Sequence, residues 1–251
     1  MTAKNYWKKM REILTAIEEE EWESIVQTAK MVADLTQSGD MIHVFGPGHT
    51  HTLVDEMWVR AGGLASINPI HDAGMTPAFG PAKGSALERL EGYGRILFDT
   101  HNAKPGELMI VVSNIGNLPV VVDVGLAAKE ADLTMVTLAS LDFSKSSKPL
   151  HSSGKKLYEF ADIVIDNKCP PGEAALDIEE YDRRVGPATM IANAWILNAI
   201  VVEAVSIMLD RGETPPVFRN FNLMFVPGEA PSTPDALLKP YHDRLTVMDF
   251  H

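Results

Sequence analysis

Between residues 41 and 166 the chain holds five short apolar runs, Met41–Phe45, Ala65–Ile70, Leu108–Ser113, Leu133–Ala139 and Asp162–Asp166. They are rich in Ile and Val, and the central ones show no alternation with polar residues. A strand with one wet face alternates, whereas a strand buried on both faces reads as continuous apolar sequence, as in a parallel sheet covered by helices. Helical patterns at Leu53–Ala61, Pro119–Glu130 and Ser153–Phe160 separate the runs. The expected architecture is therefore α/β, a five-stranded parallel sheet flanked by helices and doubly wound through right-handed crossovers. Ligands of such sheets sit beyond the carboxyl ends of the strands, which directs the search to the loops there.

A long N-terminal helix over about 5–37 precedes the sheet, because Met10, Ile13, Leu14, Ile17 and then Trp22, Ile25, Val26, Ala29, Val32 recur at helical spacing. Its acidic run Glu18–Glu21 reads as a solvated face. Gly186-Pro187 is expected to open a second long helix reaching about Leu209. The stretch Ile191–Leu209 is apolar nearly all round, yet Asn193, Asn198, Glu203 and Ser206 interrupt it, so it reads as a helix buried in protein rather than in a bilayer. A Pro- and Asn-rich tail begins at Pro215, with a last short helix near Asp235–Leu245. With no repeat or linker, residues 1–251 are expected to form a single domain: the helix of 5–37, a sheet core of about 41–210 and an extension of about 215–251.

The balance of 22 Lys and Arg against 34 Asp and Glu leaves a formal charge of −12. That sign argues against a nucleic-acid or anionic-membrane partner. A small anion remains compatible, since converging backbone N–H groups can hold one locally. The single cysteine, Cys169, permits no internal disulfide and suits a reducing compartment. The N-terminus carries no targeting pattern, so the expected location is cytoplasmic.

Two loops carry the chemistry. GPGHTHT (46–52) joins the first run to a helix; Gly46 and Gly48 permit backbone N–H groups to converge, and Thr50 is placed to cap the helix or to bond a ligand. SNIGNLP (113–119) repeats the arrangement after the third run, with Ser113, Asn114 and Asn117 around Gly116. GPGHTHT lacks the third glycine of a dinucleotide fingerprint, and no redox cofactor is implied.

GPGHTHTLVDEMWVRAGG (46–63), INPI (67–70), HSSGKKLYEFADIVIDN (151–167), GPATMIANAWILNAIVVEA (186–204) and PPVF (215–218) together resemble the SIS domain family of phosphosugar isomerases and binding proteins. Within it the likeness is to a bacterial group of phosphosugar-binding proteins. The resemblance implies a flavodoxin-like doubly wound fold, a small anionic sugar as ligand and a homodimer whose subunits share the site. Trp7 and Trp22 on the first helix offer an apolar stripe for such a partner. The chain departs from the family pattern in three places. Ile115 stands where a serine or threonine is usual, Pro47 removes one N–H from the first loop, and Arg60 stands where heptose phosphate isomerases and muramic acid etherases carry a catalytic glutamate.

The reading that follows is an aldose–ketose isomerase working through an enediol. Glu56, on the helix after the first loop, is the expected proton shuttle, although an i,i+4 pair with Arg60 is the plain alternative. His151, in the HSSGK motif, and His71, after a strand end, are expected to assist ring opening. Gly46, Gly48, His49, Thr50, His51, Arg60, Ser113, Asn114, Gly116, Asn117 and Lys155 are the expected ligand-binding set. His49-x-His51 with Asp55 or Glu56 offers metal ligands, but no third and fourth follow by spacing, so no metal is assigned. A lyase starting from the same proton abstraction, and a sensor that binds the sugar without turnover, stay open.

Overall fold

The computed structural model describes residues 3–228 and 234–245. The chain runs α1 (Ala3–Ser38), β1 (Ile42–Phe45), α2 (His51–Met57), β2 (Ile67–Ile70), α3 (Pro81–Glu88), α4 (Tyr93–Asp99), β3 (Leu108–Val112), α5 (Pro119–Glu130), β4 (Thr134–Ala139), α6 (Leu141–Ser146) and β5 (Ile163–Asp166). A short antiparallel hairpin, β6 (Ala174–Leu176) and β7 (Val185–Pro187), leads into α7 (Thr189–Asp210), and α8 (Pro234–Leu238) lies in the tail. The five main strands form one parallel sheet in the order β2-β1-β3-β4-β5. From β1 the chain steps one way to β2 and then crosses to β3 on the other side, so the strand order reverses between β1 and β3. Pro69 breaks no ladder because β2 is an edge strand.

The unalternating strands bury both faces. Leu108, Ile110 and Val112 of β3 face Ile17, Ile25 and Val32 of α1 and Ile196 and Ile200 of α7 in one core cluster. Met109 and Val111 face Leu97 and Phe98 of α4 and Val120 and Val124 of α5 in the other. α7 has the length and apolarity of a membrane span. However, Ala192, Ile196, Ile200 and Ala204 are buried in the first core cluster, which makes it a core helix.

A third cluster closes the amino ends of the strands, where Phe218, Leu238, Tyr241 and Leu245 of the tail cover Met41 and Ala65. Beneath it lies a buried ion network. Glu107 accepts from His43 Nε2 at 2.9 Å, Arg244 at 2.6 Å, Met41 N–H at 3.0 Å and Lys104 N–H at 2.7 Å. Burial pushes the Glu107 carboxyl up, but these donors outweigh it and hold its pKa down at about 2.

Three local expectations are corrected. Ser153–Phe160 is not an α-helix: Lys156 is extended, only Leu157–Glu159 forms a 3-10 turn, and the helix of this crossover is α6. The Lys156 ammonium turns back onto the carbonyls that end α6, at 2.8 Å from Ser144 O and 3.2 Å from Ser147 O, where a cation suits the helix dipole. Gly186-Pro187 belongs to β7 rather than opening the long helix. Gly186 has φ +75°, and a Cβ there would sit 2.8 Å from the Tyr6 ring, so α1 packs directly on this backbone. The connection from β2 to β3 also contains α3 and α4, which the apolar periodicity did not reveal.

Candidate active site at the strand-order reversal

The loops after β1 and β3 meet where the strand order reverses, around a cavity of about 120 Å³. Its wall includes Pro47, His49 and Thr50 from the first loop and Ser113, Asn114 and Ile115 from the second, with Glu88 from the end of α3 and Glu173 from the turn before β6.

Gly48 adopts φ +60°, which carries the first loop tightly over the strand end, and a Cβ there would lie 2.5 Å from Glu88 Oε1. Thr50 is buried, and its hydroxyl donates to Pro47 O at 2.6 Å with Val112 O within 3.3 Å, so it fastens the first loop to the end of β3. It makes no side-chain cap on α2. Ser113 Oγ accepts from Gly116 N–H at 3.2 Å, leaving its own proton for a ligand.

Glu173 is the most supported group in the wall. His49 Nε2 lies 3.1 Å from its Oε2, Thr189 Oγ1 donates to the same oxygen at 3.0 Å, and Asn114 Nδ2 donates to Oε1 at 3.1 Å. Asn114 is itself fixed by two other buried amides, since Asn167 and Asn193 donate to its Oδ1 at 2.9 and 3.2 Å. Burial would raise the Glu173 pKa, but the bonds from His49, Thr189 and Asn114 outweigh it and hold the carboxyl below its usual value. The hydrogen bond to Glu173 raises the pKa of His49 against an opposing effect of burial. Glu88 behaves oppositely: burial raises its pKa, and Arg89 and His49 only partly offset this. Two carboxyls with divergent acidities thus face one cavity.

The remaining expected residues are distributed around this centre. Glu56 lies on the flank of α2, where it accepts from Arg60 Nε at 3.1 Å and is approached by Asn198 at 3.5 Å; it is not part of the cavity wall. Arg60 is exposed beside it. His151 Nε2 reaches Asp123 on α5 at 3.1 Å, with its Nδ1 2.8 Å from Ser153 Oγ, so it ties its loop to α5. Asn117 holds the same loop through Lys148 O at 2.9 Å, and Gly116 O receives Leu157 N–H at 2.8 Å. Lys155 is exposed. Gly46 packs on Thr50, whose Oγ1 would be 2.8 Å from a Cβ at that position. His51 and His71 meet at Asp55, 3.2 and 3.1 Å from its two oxygens. Sequence reasoning missed Glu88 because its helix was not recognised.

The model of the SIS domain family matches residues 5–140. A UPF0309 protein of Oceanobacillus iheyensis is 35% identical over 221 residues, 88% of this chain and 90% of that one. This chain belongs to the SIS domain family. A UPF0309 protein of Listeria monocytogenes serotype 4b is 34% identical over 244 residues, 97% of each chain. Among solved structures, phosphoheptose isomerase GmhA from Neisseria gonorrhoeae superposes with a TM-score of 0.50 at 15% identity, covering 82% of this chain and 95% of that one. At that identity the likeness speaks for the SIS fold, and the five-stranded parallel sheet with its long N-terminal helix agrees with it.

Proposed function

We propose that this SIS protein binds a small anionic sugar in the cavity between the β1 and β3 loops and isomerises it, aldose to ketose, through an enediol. The observation that carries the reading is the pair Glu173 and Glu88, whose surroundings drive their acidities apart across one cavity. Paired groups of that kind are how a site runs base and acid chemistry at one pH. Glu173, kept ionised, removes the proton from the carbon beside the carbonyl and returns it to the neighbouring carbon. Glu88, whose charged form burial penalises, donates its proton to the carbonyl oxygen as negative charge develops there and recovers one from the adjacent hydroxyl as the enediol collapses to the new carbonyl. His49 orients Glu173 and reaches the solvent side, where it assists ring opening. Ser113 and the backbone of the two loops take the anionic end. Glu56 then serves as the helix partner of Arg60, and His151 holds its loop.

The active unit in this reading is a homodimer. A cavity of about 120 Å³ is smaller than the few hundred Å³ usual for a small-molecule site, which suits a site completed by a second subunit. Ile191, Val202 and Leu209 give α7 one exposed apolar face to offer a partner.

The test uses a panel of phosphorylated aldoses and ketoses in heavy water. The wild type should place deuterium at the carbon beside the carbonyl of at least one sugar that raises its melting temperature. Glu173→Gln should still bind that sugar, with turnover about 10²–10⁴-fold lower. Exchange that persists in Glu173→Gln removes Glu173 from the chemistry. Binding without any exchange in the wild type replaces the enzyme with a sugar sensor.

A further inference from the structure

Beside the cavity, and separate from it, three metal-ligating groups converge. His51 opens α2 and Asp55 follows at i+4, so both side chains share one helix face. His71 comes from elsewhere in the chain, directly after β2. The parallel register that pairs Phe45 with Ile70 brings it alongside the loop after β1. His51 Nδ1 lies 3.2 Å from Asp55 Oδ2 and His71 Nε2 lies 3.1 Å from Asp55 Oδ1. The ring centroids are 4.8 Å apart, tilted by 32°. One ligand atom from each residue falls within 4.8 Å of the other two.

We propose that His51, Asp55 and His71 form a site for one divalent transition-metal ion, zinc foremost, with a fourth position open to water or to a ligand oxygen. Two imidazoles and a carboxylate are a zinc donor set, and three protein ligands with an open position are the pattern of chemically active zinc. Donors about 2.0–2.1 Å from a tetrahedral ion stand about 3.3–3.4 Å from one another. Each imidazole nitrogen stands close to that separation from one oxygen of Asp55, His51 Nδ1 from Oδ2 and His71 Nε2 from Oδ1, so an ion held by one of these oxygens needs only a small shift of the other ring.

Direct hydrogen bonding does not account for the group. His71 Nε2 is buried and, among the described residues, makes no hydrogen bond despite its proximity to Asp55, so a polar atom aimed into the cluster lacks an aligned partner there. Such orphaned buried atoms are rare in folded proteins. Asp55 is half exposed, which leaves a route in for the ion and for its fourth ligand. The formal charge of −12 attracts cations to the surface as a whole.

The proposal stands whether or not the chain turns over a sugar, and its test reads metal rather than activity. Chelator-stripped protein should take up one equivalent of zinc by calorimetry, confirmed by elemental analysis after desalting. Cobalt should bind in its place and show the intense visible bands of a low-coordinate site. Zinc should also raise the melting temperature of the wild type. His71→Ala and Asp55→Asn should each weaken zinc binding by about 100-fold or more while keeping the wild-type circular dichroism, because both side chains border solvent. His151→Ala, a histidine outside the cluster, should leave zinc affinity unchanged. Stoichiometric binding that survives both cluster variants, or no binding at micromolar zinc, overturns the site.

Discussion

Gly48 and Glu107 show how single positions are held by what surrounds them. Gly48→Ala would force a side chain into the left-handed region and toward Glu88 Oε1. The conformational part alone costs about 1–2 kcal/mol. Urea denaturation should show that loss, and Glu88→Ala should recover only the steric part, a coupling that a double-mutant cycle measures. Glu107 makes stability depend on acid. Its folded pKa, about 2, lies below the ordinary 4.5, so its contribution is complete above 4.5 and is lost as pH falls from there through about 2. The shift corresponds to roughly 3 kcal/mol. Between pH 5 and pH 2 the wild type should therefore lose about that much more unfolding free energy than Glu107→Gln. Equal pH slopes for the two proteins would show that the Glu107 pKa is the same in the folded and the unfolded chain.

Among the elements, those legible in sequence were the ones whose burial writes a regular pattern. The strands were recognised because Ile, Val, Leu and Met fill both faces, and α5 was recognised with its ends, Pro119 and Glu130, because proline and apolar packing mark it. α3 and α4 were not. They are 8 and 7 residues long, each contains a packed glycine, and neither repeats its apolar residues long enough to show a period. The missing α3 hid Glu88. Glu173 stood in a loop with no pattern, and only the fold brings it to His49. His51 and Asp55 could be paired by helical spacing, but His71 needed the register of β1 with β2. α7 carries the prediction at this scale. Ile191, Val202 and Leu209 recur on one face and are 43%, 68% and 59% exposed. Light scattering at micromolar concentration should find two chains per particle, and Val202→Glu should leave one, because an unpaired charge at the centre of an apolar interface is strongly unfavourable. A monomeric wild type removes the dimer.

For the molecule as a whole, the fold class was readable because one physical fact, burial on both sheet faces, governs most of the chain between residues 41 and 166. The candidate site was readable only as a location. Its two loops follow from topology, whereas the proposed acid and base sit on a turn and a short helix that sequence periodicity does not reach.

The packing of α1 on α7 has a consequence for synthesis. Helix α1 leaves the ribosome ahead of the sheet, and its principal cover is the last long element, so residues 39–210 must be made before α1 can dock fully. At about 5–20 residues per second that interval is roughly 10–35 s. Throughout it, Met10, Ile13, Ile17, Ile25 and Val32 lack the α7 residues that share their core cluster in the finished protein. Chains halted on the ribosome with α7 still inside the exit tunnel should be cut readily by protease within α1, and chains long enough to release residue 210 should be protected. The first helix therefore spends its early life as a client for whatever shields apolar surface at the tunnel mouth.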